Sequence, residues 1–384
     1  MTFNFLCMST TDWDEIWGSR QQIMSRLAAQ GHRILFVERQ VGPEHLLRDP
    51  VLRARKLTAW RHPAIRHIEE NIWLYQPPLM LPGRYFSISA NTLGQRLLAR
   101  KLRRLLAQLG LENPILWLYP PHSAPLLGQF NERLVVYHCI ERFVGNQTGR
   151  KRRIMEIEET ELLRRANLVF THAEGLRQRY TPLTRQPIVL LPSAANVTHF
   201  QSTPEVHPDI AAIPHPRLGL AGSIDGRIDV KLLQAVAQAR TDWHLILIGQ
   251  VRPGRVNLSE LLNKPNVHFL GPRPFADLPS LLNGMDTLLI PYVQDELTKF
   301  ISPIKLYEYL AVGKPIISVN LPEVMSLAQW ISIAESPAEW ITVIEQAIHF
   351  DTPERVATRR QAAWEHTWDK RVDTINSQLA RFNL

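Results

Sequence analysis

Short apolar runs alternate with amphipathic stretches along the whole chain. In the first half the runs at 3–8, 33–37, 72–75, 115–119, 134–138, 168–171 and 188–190 predict strands. Residues 21–30 place Ile23, Leu27 and Ala28 on one helical face ahead of a Gly31 stop, and residues 91–109 predict a basic amphipathic helix. A proline-rich, aperiodic stretch at 192–216 reads as a linker. The alternation then restarts, with strands at 217–221, 244–248, 267–270, 287–290 and 315–319 and helices at 230–239, 275–282 and 303–312. Such a pattern predicts an α/β protein: two Rossmann-like doubly wound domains, the carboxyl ends of their strands facing an interdomain cleft.

A length of 384 residues accommodates two such domains, and 45% hydrophobic with 21% charged residues excludes a disordered or coiled-coil chain. The two cysteines, Cys7 and Cys139, form neither a disulfide framework nor a four-cysteine zinc site, which fits a reducing cytoplasm. The first apolar run has no basic residue before it, so it reads as a strand and not as a secretory signal. No run of about 18 apolar residues predicts a membrane-spanning helix, which leaves peripheral contact.

Charge is divided unevenly. Residues 1–200 carry 27 Lys and Arg against 16 Asp and Glu, while residues 201–384 carry 17 against 20. The excess is concentrated at 53–56, 100–104 and 150–153. Three basic clusters in one half suit an anionic partner such as lipid headgroups or a phosphorylated ligand. No nucleic-acid-binding motif accompanies them, so nucleic acid is not an expected partner. No G-x-G-x-x-G follows a predicted strand, which disfavours a dinucleotide dehydrogenase.

The stretch most suggestive of chemistry is Ser302-Pro303-Ile304-Lys305-Leu306-Tyr307-Glu308-Tyr309-Leu310-Ala311-Val312-Gly313-Lys314-Pro315. Ser302 is expected to cap a helix that Pro303 starts, and Gly313 to end it. A helix amino terminus attracts phosphate, Lys305 in its first turn adds a full charge, and Glu308 offers acceptors to paired ribose hydroxyls. The same residues also describe an ordinary amphipathic helix with a surface Lys–Glu pair.

With its ending EYLAVGKP, this stretch resembles the donor-site motif of retaining GT-B glycosyltransferases, glycosyltransferase family 4-like (group 1). That motif is a Glu, seven residues and a second, ribose-binding Glu. Glu308 takes the second place, whereas position 300, where the first belongs, holds Phe. The opening S-P-x-K is closer to the bacterial cell-envelope branch, the teichuronic-acid and xanthan-type enzymes, whose Lys meets the nucleotide diphosphate. Further segments resemble the same family. They are Gly222 and Ser223 with Arg227 in the first donor loop, Gly249 after the next strand, Phe269 and Leu270 in an N-V-x-F-x-G segment, Tyr292 in a D-x-x-x-x-P segment, and an altered linker at 191–200. The resemblance implies catalytic roles for Arg227, Lys305 and Glu308. It implies donor binding by Gly222, Ser223, Gly249, Phe269, Leu270, Tyr292, Ser302, Pro303 and Ile304.

In the first half, the loop D-W-D-E-I-W-G-S-R-Q-Q resembles the first loop of the envelope branch. Trp13 and Trp17 suit either sugar stacking or interior packing, and Arg20 either a phosphate or a structural role. Tyr119, His122, His138 and Glu141 stand at predicted strand ends as acceptor candidates. The implied domains are 1–195 for the acceptor, 196–365 for a nucleotide-diphospho-sugar, and a final helix at 366–384 that crosses back. The implied activity is retaining sugar transfer to a saccharide or lipid-linked acceptor in cell-surface polysaccharide synthesis, at the inner face of the cytoplasmic membrane, with no cofactor and no metal. A nucleotide-sugar epimerase and a non-catalytic nucleotide-sugar-binding protein are the rival readings.

Overall fold

The alternation folds as two sheets, one in each of two units. The computed structural model describes residues 2–15, 17–59, 64–145, 147–203, 205–252 and 256–382. Ile16 of the first loop and the side chain of Arg55 in the first basic cluster lie outside the described residues. One unit is 1–192 with 372–384, and the other is 193–371. The divisions thus fall at 192/193 and 371/372, against 195/196 and 365/366 in the sequence reading. The helix Trp368–Leu379 carries the chain from the second unit back into the first.

In the first unit the strands are β1 (Asn4–Met8), β2 (Arg33–Val37), β3 (Ile65–Glu69), β4 (Ile72–Tyr75), β5 (Ile115–Leu118), β6 (Leu134–Cys139), β7 (Leu168–Thr171) and β8 (Ile188–Leu190). They are ordered β3-β4-β2-β1-β5-β6-β7-β8, parallel except for β3. The second unit has β9 (Arg217–Ala221), β10 (His244–Ile248), β11 (Val267–Gly271), β12 (Thr287–Ile290), β13 (Ile316–Ser318) and β14 (Ile331–Ile333), in the parallel order β11-β10-β9-β12-β13-β14. Both sheets reverse direction of growth beside their first strand, β1 and β9. Open α/β sheets present their ligand crevice at the carboxyl ends of such a strand.

Several elements differ from the sequence reading. β3 was not expected because I-R-H-I-E alternates with polar residues, which an antiparallel edge strand tolerates. Pro315 stands before β13, where its carbonyl accepts the Leu288 N–H at 2.9 Å. The stretch 192–216 is not a bare linker. Val197, Phe200, Ile210 and Ile213 in it are buried in the core of the second unit, the first three of them on two short helices that proline spacing conceals.

Candidate functional site

At the carboxyl ends of β9, β10 and β12 the backbone itself is cross-linked. Gly222 N–H bonds the Ile248 carbonyl at 2.9 Å, Asp229 N–H the Pro291 carbonyl at 2.8 Å, and Val293 N–H the Arg227 carbonyl at 2.8 Å. Gly222 and Gly249 hold φ of 111° and 145°, so neither position suits an L side chain. The loop after β9 therefore lies flat against the end of β10, with its backbone open to whatever sits above it.

The helix Ile304–Val312 ends over this loop. Its boundaries depart from expectation at one end only. Gly313 caps the carboxyl terminus at φ 85° as expected, but the amino-terminal cap position falls on Pro303, one residue after Ser302. Instead the Ser302 hydroxyl accepts from Ser193 N–H at 3.1 Å, and the Ser193 hydroxyl donates to the Ser302 carbonyl at 2.8 Å. Ser302 is thus a tether to the start of the second unit. With no side-chain cap and no acid in the first turn, the helix amino terminus keeps its partial positive charge uncompensated. Tyr309, one turn beyond Lys305, accepts the Ala221 N–H at 2.8 Å and so pins the helix to the end of β9.

Lys305 is 9% exposed and its Nζ makes no hydrogen bond among the described residues. The ammonium lies 5.2 Å from the Tyr292 ring centre and would sit 3.6 Å from a Cβ on Gly222. Burial, and then Arg227, lower its pKa to about 7. Glu308, half-buried on the same helix, is raised to about 7 by burial, with Lys305 acting in the other direction. Buried charge of this kind is costly unless a ligand or partner meets it.

Arg227 is held differently. Its Nε and Nη2 donate to the two oxygens of Asp225 at 2.9 and 2.7 Å, and its N–H bonds Asp225 Oδ1 at 3.1 Å. The guanidinium, 5.8 Å from the Tyr292 ring centre, is oriented by an ion pair that the sequence reading missed. The two-residue spacing in D-G-R was the available signal. Lys305, Glu308, Arg227, Tyr292, Gly222 and Gly249 thus come together in the second unit. Ser223 is half-buried in the same loop, Ile304 is half-buried and Pro303 buried at the helix mouth. Phe269 is 40% exposed near the end of β11, with Leu270 half-buried beside it. Phe300 occupies a short turn, Thr298–Phe300, in which Asp295 Oδ1 accepts two backbone N–H groups and Glu296 pairs with Lys299 at 2.5 Å.

The first-half candidates form two separate groups. Tyr119 and His138 are buried, their rings 4.9 Å apart, with the Arg20 guanidinium 5.5 Å from the Tyr119 ring. Burial pulls His138 well below the imidazole range and lowers Arg20, which Glu141, an exposed residue, acts to keep charged. His122 lies apart, 5.9 Å from Tyr85. Trp13 packs edge-on to Phe36 at 5.0 Å and is 5% exposed, so it is core; Trp17, packed on Trp13, is 42% exposed. Among the described residues no helix is long and apolar enough to cross a membrane, and no cluster of three or more His, Cys, Asp or Glu is arranged to hold a metal ion.

Residues 216–349 match the family model described as Glycosyl transferases group 1. The chain is 26% identical over 225 residues to the putative teichuronic acid biosynthesis glycosyltransferase TuaH of Bacillus subtilis (strain 168), a match covering 55% of this chain and 56% of that protein. The alignment therefore spans about half the length of that curated relative. Sucrose-phosphate synthase from Thermosynechococcus elongatus superimposes with a TM-score of 0.71 at 15% identity, covering 98% of each chain. Anabaena HepE in complex with UDP and glucose gives 0.68 at 13% identity, covering 99% of this chain and 100% of that one. These likenesses show the GT-B fold.

Proposed function

We propose that this chain, which carries a group 1 glycosyltransferase domain at residues 216–349 on a GT-B fold, transfers a sugar from a nucleoside-diphosphate donor to an acceptor of cell-envelope polysaccharide synthesis. The observation that carries this reading is the buried, unbonded Lys305 ammonium at an uncapped helix mouth. A diphosphate there gains a full positive charge, the free N–H groups of the helix and the oriented Arg227, which together stabilise the leaving group. Glu308, one turn on, accepts from the ribose hydroxyls. The donor diphosphate departs from the face on which the acceptor attacks, so the sugar keeps its anomeric configuration. Neither a metal nor a cofactor takes part in this scheme. The names of relatives support it: HepE was captured with UDP and glucose, and TuaH is assigned to teichuronic acid synthesis.

The test is incubation with a panel of labelled sugar nucleotides, with and without an envelope lipid extract. Label passing to lipid supports the reading. Turnover of the nucleotide sugar without acceptor favours an epimerase, and tight nucleotide binding without transfer favours a binding protein. Glu308→Gln is expected to raise KM for the sugar nucleotide about 10- to 100-fold, the worth of hydrogen bonds to a charged acceptor. An unchanged KM removes Glu308 from the ribose.

The acceptor in this reading is lipid-linked and met at the inner leaflet, where the basic clusters of the first unit hold the protein by peripheral contact with anionic lipid. Arg150, Arg152 and Arg153 are exposed and Lys151 half-buried on the helix Gly149–Arg165. Changing all four to Gln is expected to release the protein from anionic vesicles and leave nucleotide affinity as it was, since each basic residue near such a surface contributes about 1 kcal/mol. Unaltered vesicle binding in flotation assigns their charge to another purpose.

A further inference from the structure

The second unit begins at Ser193 and ends at Arg371, and these two ends are bound to each other. Ala195 N–H bonds the His366 carbonyl at 3.0 Å, and Ala195 pairs in parallel with Thr367. Arg371 Nη2 donates to the Ser193 carbonyl at 3.1 Å. Ser302 engages the N–H and the hydroxyl of Ser193, so all three polar groups of that serine are used. Ser302 directly precedes Pro303 and the helix Ile304–Val312, in whose first turn Lys305 stands. Hydrogen bonds therefore run from Arg371 through Ser193 and Ser302 to the mouth of the donor helix.

Tyr307 supplies a second link between the same partners. It is 2% exposed, and its ring centre lies 5.9 Å from the Arg371 guanidinium and 5.4 Å from the His366 ring. Burial and then Glu323 raise its phenol to about 12, against a hydrogen bond with Ser302 and the charge of Arg371. At 3.6 residues per turn, Tyr307 and Lys305 stand roughly 200° apart around the helix. The helix thus meets Arg371 on the side away from Lys305.

Arg371 is itself closely held. It is 9% exposed, and burial lowers its pKa while Tyr307 and Glu323, a residue 4% exposed, act to keep it charged. Its Nη2 also lies 3.4 Å from His366 Nδ1, and since a guanidinium only donates, that nitrogen is the acceptor. Burial followed by Arg371 lowers His366 to about 4, so the ring is neutral near pH 7. A charge-assisted bond fixes its acceptor more firmly than a neutral donor does. Placement of this kind matters to chemistry, because a shift of about 1 Å in a catalytic group costs on the order of 10²-fold in rate.

We propose that Arg371 is a positioning residue for sugar transfer, which through Ser193 and Ser302 sets the place of the helix mouth, and so of Lys305, against the donor diphosphate. This assignment rests on the donor site proposed above and adds to it a residue that acts without touching the substrate.

The test is a double-mutant cycle in the full chain, read by UDP titration and by hydrogen exchange. Arg371→Gln is expected to weaken UDP binding about tenfold in the parent but less than about twofold in Lys305→Ala, where no ammonium remains to be misplaced. Arg371→Lys keeps a charged donor for the Ser193 carbonyl and is expected to recover most of the loss. Equal weakening in both backgrounds means a general loss of structure and overturns the positioning role. Hydrogen exchange needs no nucleotide. In Arg371→Gln the amides of Ser193 and of Leu306, which bonds the Pro303 carbonyl at 3.1 Å, are expected to exchange faster. The Gly313 amide, bonded to the Tyr309 carbonyl at the far end of the helix, is expected to keep its protection. Unchanged exchange at Ser193 and Leu306 overturns the proposal whatever UDP does. Where Arg371→Gln does not fold, Ser302→Ala removes the acceptor of the Ser193 N–H and is held to the same outcomes. Faster exchange at both amides in a protein whose parent binds no UDP counts against the donor reading alone and leaves the hold of Arg371 on the helix mouth standing.

Discussion

Replacing Lys305 by Ala is expected to lower kcat about 10²- to 10³-fold, the effect of deleting one preorganised donor to a developing anion. The protein itself should unfold no more easily. The ammonium is 9% exposed with no hydrogen bond among the described residues, so its removal takes away a desolvated charge and no native contact of comparable worth. Arg227 cannot compensate, because Asp225 already engages it through two oxygens. Lys305 instead brings a charge that no hydrogen bond among the described residues occupies. The same geometry sets a pH dependence. Lys305 and Glu308, lowered and raised to about 7, titrate as a pair faced by Arg227, Asp225 and Tyr292. Below pH 7 the pair is cationic, and as pH rises it loses protons and repels a diphosphate. UDP affinity should therefore fall between pH 6 and pH 8, with proton uptake on binding visible as a buffer-dependent heat in calorimetry. In Lys305→Ala the lysine's part of that uptake disappears. Wild-type kcat in the variant, or a UDP affinity flat with pH in the parent, takes Lys305 out of the diphosphate site.

What the sequence made legible here follows from which groups face inward. The central strands of both sheets are buried on two faces and read as continuous apolar runs, such as L-V-V-Y-H-C in β6 and T-L-L-I in β12. The helix Ile304–Val312 was legible because Gly313 ends it and apolar residues fill it. The helix Gly149–Arg165 was not, because its inward face carries acids. Glu159 accepts from the Tyr137 and Tyr180 hydroxyls at 2.8 Å each, and Glu158 from Asn91. A carboxylate that finds hydroxyl partners leaves no hydrophobic period to read. The donor-side residues Lys305, Glu308, Arg227, Gly222 and Gly249 were named from the chain and lie together. What spacing did not convey was the tether at Ser302 and the Tyr309 pin, both of which depend on contacts between segments distant in sequence.

Gly249→Ala is expected to cost about 2–4 kcal/mol of stability in the second unit and to weaken UDP binding by tenfold or more, combining backbone strain with overpacking. A Cβ built on Gly249 lies 1.9 Å from the Gly222 carbonyl oxygen and 2.8 Å from its carbon, at a φ of 145° that L residues rarely adopt. Neither side can yield cheaply. The intruding atom would meet backbone, and that backbone is tied in turn by the Gly222 N–H to Ile248 and by the Gly249 N–H to the Gly271 carbonyl at 2.8 Å. The loop after β9 must lift, which moves Gly222 away from Lys305, whose Cε would stand only 3.4 Å from a Cβ there. Gly271→Ala supplies the comparison. It also has positive φ, 67°, but nothing within 4 Å of its Cβ, so it should show strain alone, about 1–2 kcal/mol, and keep its affinity for UDP. Denaturant unfolding and UDP titration of the two variants distinguish the causes. If Gly249→Ala binds UDP as the parent does, close contact between these two loops is not what shapes the nucleotide site, whereas a selective loss in that variant ties donor binding to the place where β9 and β10 end.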